Sequence, residues 1–364
     1  MNKNSKISSN QIKGLLITSI LGVGVLSLPN NLAIIMGLDG WIPIILASIL
    51  MVGMIFLIIK IFDYFPGMDI FEISKTTLGT IISKVYQILF LIYMVILLAY
   101  ISRTLGEVIK AFLLENTPIE VIIFTFILVT SYISRCEIDV IGRMGYFIYP
   151  LILGFIIFLL LVTLPNTKFE NLLPLFQSDI KTLPTGLLAS VISFGGFEIL
   201  LFAVPYAEDK DGVLKSSISA IGVVSIIYLA IFVMATSQFG IHQLQRLPWP
   251  TLSLVKEIDL PGLFLENLDG VVTAIWVLVV FGTLAATYFS SAKILANLFK
   301  TKSHELFVLP LLPIIYTISL IPQNSVELQK YMTKVLTYLA VVTIFVFPII
   351  ILIISHFKSR RYNN

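Results

Sequence analysis

Two glycine pairs interrupt apolar stretches that are otherwise long enough to form membrane helices. The first pair flanks Val23 in SILGVGVLSLP, and the second is Gly195-Gly196 in SVISFGGFEILLFAVP. Glycine weakens a helix by about 1 kcal/mol relative to alanine. The downstream prolines, Pro29 and Pro205, each deprive a carbonyl of its helical partner. Unpaired backbone in a membrane is tolerated where it lines a cavity or meets a ligand, so both breaks are candidate binding positions.

The chemistry expected at such breaks comes from the backbone. N–H groups at the start of a half-helix, here at Gly22 to Gly24, favour an anion such as a carboxylate. Carbonyls freed around Ser193 to Gly196 suit an ammonium. An α-amino acid carries both groups, so the two breaks together predict a site for a zwitterion. The alternative is that these glycines only let helices approach closely, but their corresponding positions and downstream prolines favour the site.

Glu198 is the most unusual side chain, because it lies two residues after Gly196 inside the apolar sixth stretch. An acid at the centre of a membrane helix costs roughly 2.5–3.5 kcal/mol to insert, and such carboxylates usually mark binding sites or proton paths. In the functional interpretation, Glu198 pairs with the freed backbone when protonated or faces the amine of a ligand. In the structural interpretation, it is a neutral carboxyl satisfied by a neighbouring hydroxyl.

Two further helices carry polar or aromatic residues on one face. Tyr93, Leu97 and Tyr100 follow an i, i+4, i+7 pattern, and Thr283 and Thr287 share a face of a later helix. Both sets are candidates to line a cavity, although ordinary packing explains the aromatic set equally well.

Three charged residues within the apolar stretches have a structural alternative. Arg103 and Glu107 have the i,i+4 spacing of an ion pair, which predicts a clamp or a subunit contact near the outer end of their helix. Lys293 either occupies a cation position against the first half-helix or extends to the cytoplasmic headgroups.

Membrane helices are the elements that must position these residues. The chain of 364 residues is 57% hydrophobic and 12% charged, with a mean hydropathy of +0.98, whereas soluble domains have about 25% charged residues. A spanning helix needs roughly 20 mostly apolar residues. Ten such stretches are predicted, at 12–36, 41–62, 84–112, 118–134, 145–164, 184–206, 213–238, 270–298, 304–321 and 332–356.

An internal repeat relates the first five predicted spans to the second five. The two sets begin near residues 12 and 184, and Gly22 and Gly195 are 173 residues apart. Because five is odd, the second set must enter the membrane from the opposite side. We therefore predict one all-α integral membrane domain, 1–364, with an inverted five-plus-five repeat (12–164 and 184–356) and discontinuous spans one and six.

The orientation follows from the distribution of basic residues. With the polar N-terminal tail in the cytoplasm, the inner side receives roughly twice as many Lys and Arg residues as the outer side. Both termini are therefore predicted to be cytoplasmic. The segment 240–269 is expected to form short helices on the outer surface, where it either caps the central cavity or rests on lipid headgroups with Trp249 as an anchor.

Several function classes lack support in the sequence. The net charge is only +3, and no basic stripe with interleaved aromatics indicates nucleic-acid binding. The single cysteine, Cys136, cannot form an intrachain disulfide. No metal-ligand spacing, nucleophile elbow or phosphate loop is present. We expect no enzyme activity, no metal and no cofactor.

Four strings in the chain carry a family resemblance. LGVGVLSLP, LLENTPIEVIIFTFI, ISFGGFEILLF and WPTLSLVKEIDLPGLFLENLDGVVTAIWV resemble the B subunits of spore nutrient-germinant receptors. The similarity covers essentially all ten predicted spans. That family belongs to the amino acid–polyamine–organocation (APC) superfamily, which has the leucine-transporter fold.

The resemblance implies a receptor function. It implies a subunit that binds a small germinant, commonly an amino acid, in the inner membrane of a dormant spore, and that works with an A subunit and a lipoprotein C subunit. Family members have an aromatic residue near Thr287, whereas here the aromatic residue is Tyr288. Together with Glu198, the ligand-binding positions that the two lines of reasoning predict are Gly22, Val23, Gly24, Tyr93, Leu97, Ser193, Phe194, Gly195, Gly196, Thr283 and Thr287.

Two functional hypotheses follow. In the first, amino-acid binding shifts the cavity between conformations and biases a partner complex toward germination. In the second, the chain is an autonomous transporter that couples amino-acid uptake to protons through Glu198 or Lys293. The mostly apolar cavity positions permit alanine, valine, leucine or a nucleoside-sized ligand.

Overall fold

Helices make up the described part of the chain. The structure, a computed structural model, describes residues 6–256 and 268–362. Within those ranges the only extended pairing is an isolated bridge between Ile7 and Ala207. One continuous apolar core runs through the helices, as expected for an all-α membrane protein.

The first half of the chain contains seven helices. The predicted break divides span one into α1 (Ser9–Ile20) and α2 (Gly24–Met36), and α1 begins at a capping box formed by Ser8 and Gln11. A short 3-10 turn at 37–40 leads into the next helix. The remaining five are α3 (Trp41–Tyr64), α4 (Ile70–Leu78), α5 (Thr80–Phe112), α6 (Ile119–Ser134) and α7 (Ile138–Thr163).

The second half opens with the other broken span. It is divided into α8 (Leu183–Ser193) and α9 (Leu200–Ala203), and 3-10 turns flank α9. Span ten is also irregular, because π-helical turns at 328–332 and 341–346 interrupt it. The other helices are α10 (Lys210–Leu244), α11 (Pro250–Lys256), α12 (Leu268–Leu298), α13 (Glu305–Ser319), α14 (Ser325–Glu327), α15 (Thr333–Ala340) and α16 (Phe347–Tyr362).

Some helix boundaries differ from the predicted spans. α7 begins at Ile138, well before residue 145, because its first turns are polar and lie beyond the apolar stretch. An i,i+4 ion pair between Asp139 and Arg143 supports that extension.

The number of membrane crossings is only partly fixed by helix length. Among the described residues, six helical stretches are long and apolar enough to cross, and the bent pair of span six adds a seventh. α2 and α3 count there as one stretch, Gly24–Tyr64. α6 and α13 have 16 and 15 residues and fall short of the usual length. The total of ten crossings therefore stays a prediction.

Contacts near the two chain ends support an even number of crossings. The Ile7 N–H donates to the Tyr206 carbonyl at 2.9 Å, so the N-terminal segment and the end of span six lie on the same side. The Lys358 ammonium donates to the Thr76 carbonyl at 2.6 Å, which joins the C-terminal segment to α4. The ten predicted spans place six crossings between Ile7 and Tyr206 and eight between α4 and Lys358, and both numbers are even. The first count includes α6, and the second includes α6 and α13.

The described part of the predicted outer segment, 240–256, packs on the protein. Gly240 has a φ of 68° and bends α10 near its end. Leu252 and Leu254 of α11 are buried, and the Trp249 ring lies 6.1 Å from that of Phe112. None of the described residues 240–256 lines the central cavity, and a cap over it stays a prediction. Residues 257–267 lie outside the described ranges.

Candidate functional site

The two predicted breaks face each other in the middle of the fold. α1 ends at Ile20 and α2 begins at Gly24, while the helices on either side of the second break are bent by 52°. Gly196 has a φ of 105°, a left-handed conformation that glycine adopts without strain. A Cβ atom at Gly196 would overlap the carbonyl of Ser19, so the two breaks touch through backbone.

The half-helix α2 presents an uncapped N-terminus. Its N-cap residue, Val23, forms no side-chain capping hydrogen bond. Both Val23 and Gly24 line a cavity. The first-turn N–H groups of a helix lack intrahelical acceptors, and the helix dipole favours negative charge there. This end of the cavity therefore suits a carboxylate.

The cavity lies between the breaks and measures about 110 Å³. None of its described lining residues is charged, and its polar groups are hydroxyls, an amide and backbone. α5, α8, α15 and the π-helical turn after α15 complete its walls. The described lining residues are Ile20, Val23, Gly24, Ser27, Asn31, Tyr93, Leu97, Tyr100, Ile101, Leu188, Ala189, Val191, Ile192, Ser193, Gly195, Phe197, Thr283, Thr333, Leu336, Ala340, Val341, Ile344 and Phe345.

The structure brings the predicted residues together, but only some of them line the cavity. Those that do are Val23, Gly24, Tyr93, Leu97, Ser193, Gly195 and Thr283, and those that do not are Gly22, Phe194, Gly196, Glu198 and Thr287. The residues of the second group are buried outside the cavity lining, and Gly22 and Gly196 lie at the two breaks.

The Glu198 carboxylate is directed at the protein backbone. One oxygen accepts the N–H of Gly196 at 2.7 Å, and the other accepts the hydroxyl of Tyr93 at 3.0 Å. The side chain is 1% exposed. Glu198 therefore satisfies an N–H freed by the break and ties it to α5. The backbone contact belongs to the functional interpretation, and the Tyr93 hydroxyl is the partner that the structural interpretation expects.

One of the carbonyls around Ser193 to Gly196 that were expected to receive an ammonium, that of Ser193, already has a donor. The Tyr228 hydroxyl of α10 lies 2.7 Å from the carbonyl oxygen of Ser193 and 3.2 Å from that of Ile20. It thus joins the ends of α8 and α1. Sequence reasoning missed Tyr228, although a lone tyrosine in an apolar span signals a buried hydroxyl that needs a partner.

The Gly22 carbonyl is held by a second missed residue. The indole N–H of Trp276 in α12 donates to it at 2.9 Å. A Cβ at Gly22 would collide with the side chain of Thr283, so this glycine permits a close approach of α12. The alternative interpretation, in which the glycines let helices approach closely, therefore applies at Gly22.

The two predicted threonines of α12 serve different purposes. The Thr283 hydroxyl donates to the carbonyl of Thr18 at 2.8 Å and links α12 to α1. The Thr287 hydroxyl donates within its own helix, to the carbonyl oxygen of Thr283 at 2.8 Å. Only Thr283 reaches the cavity.

The charged candidates are engaged away from the cavity. The Lys293 ammonium lies 3.0 Å from a carboxylate oxygen of Glu137, and both side chains are partly exposed. Arg103 pairs with Glu107 at 2.8 Å, as the spacing predicts, and also donates to the Gln323 carbonyl at 3.0 Å. Arg103 thereby clamps α5 to the loop before α14.

Span ten contributes cavity walls that the sequence did not indicate. Thr333, Leu336 and Ala340 of α15 line the cavity, as does Ile344 in the π-helical turn. Their spacing resembles that of any apolar membrane helix. Nothing local in the sequence distinguishes them from lipid-facing residues.

Two solved structures share this architecture. Mhp1, a nucleobase-cation-symport-1 family transporter solved in a closed conformation with bromovinylhydantoin bound, has a TM-score of 0.70 at 11% identity, over 98% of this chain and 93% of that one. MhsT in complex with L-phenylalanine has a TM-score of 0.64 at 15% identity, over 96% and 98%. The fold is therefore the leucine-transporter-like fold of APC-type transporters, and the chain is a multi-pass membrane protein.

Sequence comparison identifies the family within that fold class. Residues 6–328 match the family described as "Spore germination protein". Spore germination protein YndE of Bacillus subtilis (strain 168) is 27% identical over 98% of each chain. Spore germination protein GerLB of Bacillus cereus is 26% identical over 99% of this chain and 97% of its own. The chain belongs to the spore germination protein family, as its resemblance to germinant-receptor B subunits implied.

Proposed function

We propose that this chain is the germinant-binding membrane subunit of a spore nutrient receptor, and that its ligand is a small apolar amino acid. The observation that supports this most directly is the cavity between the two broken helices, whose described lining contains no charged side chain. A ligand with a net charge would lack a counter-charge there, whereas a zwitterion is served by backbone dipoles.

The two charged groups of the amino acid have different partners in this proposal. The carboxylate lies at the uncapped N-terminus of α2. The ammonium lies among the Ser193 hydroxyl and the rings of Tyr93, Tyr100 and Phe197, whose π faces attract cations. This arrangement does not rely on the Ser193 carbonyl, which already accepts the Tyr228 hydroxyl.

Cavity size favours a small side chain. The cavity of about 110 Å³ is smaller than the ~150 Å³ cavity that admits benzene in an engineered protein. Alanine or valine therefore fits better than an aromatic residue or a nucleoside in this conformation.

Signalling follows from a difference in ligand affinity between two conformations. Ligand that holds α2 and α8 together favours one state, and the proposed A subunit and lipoprotein C subunit respond to it. We place the complex in the inner membrane of the spore, with both termini of this chain in the cytoplasm.

The experiment fills the cavity without disturbing the breaks. In spores that carry the receptor, Leu97→Phe should reduce the response to amino-acid nutrients at least tenfold, because the larger side chain occupies ligand space. Ile92→Phe is the matched control, since Ile92 lies on the same helix but is 42% exposed on its outer face. Immunoblotting verifies that both variants accumulate. An unchanged response of Leu97→Phe spores would refute this location of the site.

Transport is the alternative function, and it is supported by the fold shared with two solved transporters. Purified chain in liposomes distinguishes the two. Uptake of labelled amino acid driven by a pH gradient, and lost in Glu198→Gln, would establish a proton-coupled transporter. Ligand binding without uptake would favour the receptor.

A further inference from the structure

A second, basic cleft lies at the end of the bundle that is predicted to be cytoplasmic. It is formed by α4, the first turns of α5 and the end of α12, and it measures about 360 Å³. Lys75, Lys84 and Lys300 line it, and Glu72 is the one acidic residue among its described lining. It is separate from the central cavity, with which it shares no described lining residue.

The positive charges of this cleft are not neutralised by neighbours. Within the described ranges, none of the three lysines forms an ion pair with a carboxylate. The Glu72 carboxylate is directed to the α4 N-terminus, where it accepts the Asp69 N–H at 3.2 Å. Three exposed ammonium groups therefore face a cleft with a surplus of positive charge.

The floor of the cleft is rigid and polar. The Gln87 side chain donates to the Ser83 hydroxyl at 3.2 Å and accepts from the Asn297 amide at 2.6 Å. The Ser83 and Ser74 hydroxyls are 2.7 Å apart. These contacts join α4, α5 and α12, so the lysines project from elements whose relative positions are fixed.

We propose that this cleft binds a phosphate group, carried either by the headgroup of an anionic phospholipid or by a free phosphate compound. Three ammonium groups around one opening provide the charge that a phosphate requires. Lys84 lies in the first turns of one membrane helix, and Lys300 lies directly after the end of another. Both are therefore at the depth of lipid headgroups.

The test uses purified full-length chain in a neutral detergent. Its thermal stability is titrated with short-chain phosphatidylglycerol, short-chain phosphatidylcholine and inorganic phosphate. The variant is Lys75→Gln/Lys84→Gln/Lys300→Gln, and the matched control Lys6→Gln/Lys60→Gln/Lys215→Gln removes the same charge from exposed lysines outside the cleft. The single variant Lys84→Gln serves if the triple variant does not fold.

A basic residue near an anionic membrane surface contributes about 1 kcal/mol, or about fivefold in affinity. We expect the cleft variant to lose about hundredfold in affinity for phosphatidylglycerol, Lys84→Gln about fivefold, and the control little. If the affinity for inorganic phosphate falls by the same factor in the cleft variant, the phosphate group comes from a free phosphate compound. Binding that is unaffected by the cleft substitutions, or no binding of either anion, would overturn the proposal.

Discussion

The Glu198 carboxylate accepts two hydrogen bonds from groups on different helices, and this gives it a mechanical role at the second break. It holds the Gly196 N–H, which the interrupted helix leaves without its usual acceptor, and the Tyr93 hydroxyl of α5. Tyr93 lines the cavity while Glu198 does not. Glu198 therefore holds Tyr93, which the proposed ligand would contact, in position.

Substitutions of Glu198 test this role. Glu198→Ala leaves two buried donors without acceptors, which should destabilise the protein by about 1–3 kcal/mol. Glu198→Gln retains one acceptor oxygen and should lose less. Thermal unfolding in detergent measures both variants. A melting temperature for Glu198→Ala equal to that of the unchanged protein would contradict the role.

The two glycines Gly196 and Gly222 provide a matched comparison. Gly196→Ala requires a left-handed backbone at an alanine and places a Cβ against Ser19, so we expect a loss of about 1–3 kcal/mol in stability. At Gly222, in α10, a Cβ meets nothing within 4 Å. Gly222→Ala should be neutral or stabilising by up to about 1 kcal/mol. Equal melting temperatures for the two variants would show that Gly196 does not need its conformation.

At the scale of the element, α2 contains a proline that a long-range contact compensates. Pro29 lacks an N–H and cannot serve the carbonyl of Val25. The Thr251 hydroxyl of α11 donates to that carbonyl at 2.6 Å. Further along α2, the Asn30 amide donates to the Leu244 carbonyl at 2.9 Å. The end of α10 and the helix α11 therefore hold the half-helix that bears the proposed carboxylate site.

Thr251→Val removes the hydroxyl at nearly constant volume. We expect α2 to lose about 1 kcal/mol of local stability, because the Val25 carbonyl loses its donor. Amide exchange in residues 24–36, followed by mass spectrometry, should become about fivefold faster. Thr251→Ser retains the hydroxyl and should exchange as the unchanged protein does. Equal acceleration in both variants would show that the hydrogen bond from the hydroxyl does not hold α2.

At the scale of the whole molecule, hydrogen bonds near the chain ends constrain the topology. Ile7 pairs with the segment that follows span six, and Lys358 reaches α4. Both contacts require even numbers of crossings between the residues they join. If the other predicted spans cross, the short helices α6 and α13 cross as well, and the ten spans with their inverted repeat stay a prediction.

The single native cysteine provides a test of this topology. If α6 crosses, Cys136 lies on the cytoplasmic side, and an impermeant thiol reagent should not label it in intact cells. Glu115→Cys in a Cys136→Ser background should be labelled, because Glu115 is exposed in the loop between α5 and α6, predicted to be outside. Permeabilised cells provide the control for Cys136. Labelling of Cys136 in intact cells would place α6 on one side of the membrane.

Much of the fold follows from local properties of the sequence. The structure has helices at all ten positions that hydropathy predicts, and its two breaks lie at the Gly22 and Gly196 regions, where glycine lowers helix stability. The orientation of Glu198 toward backbone was one of the predicted possibilities. These features depend on neighbouring residues, so they can be inferred without coordinates.

The sequence by itself determined the class of fold, the two breaks and the family of the chain. Only the tertiary structure decided which groups satisfy the freed backbone and which side chains line the cavity. Tyr228, Thr251 and Trp276 reach carbonyls that are 35, 226 and 254 residues away along the chain. Such contacts leave no local periodicity in the sequence, because they depend on how distant helices are placed in space.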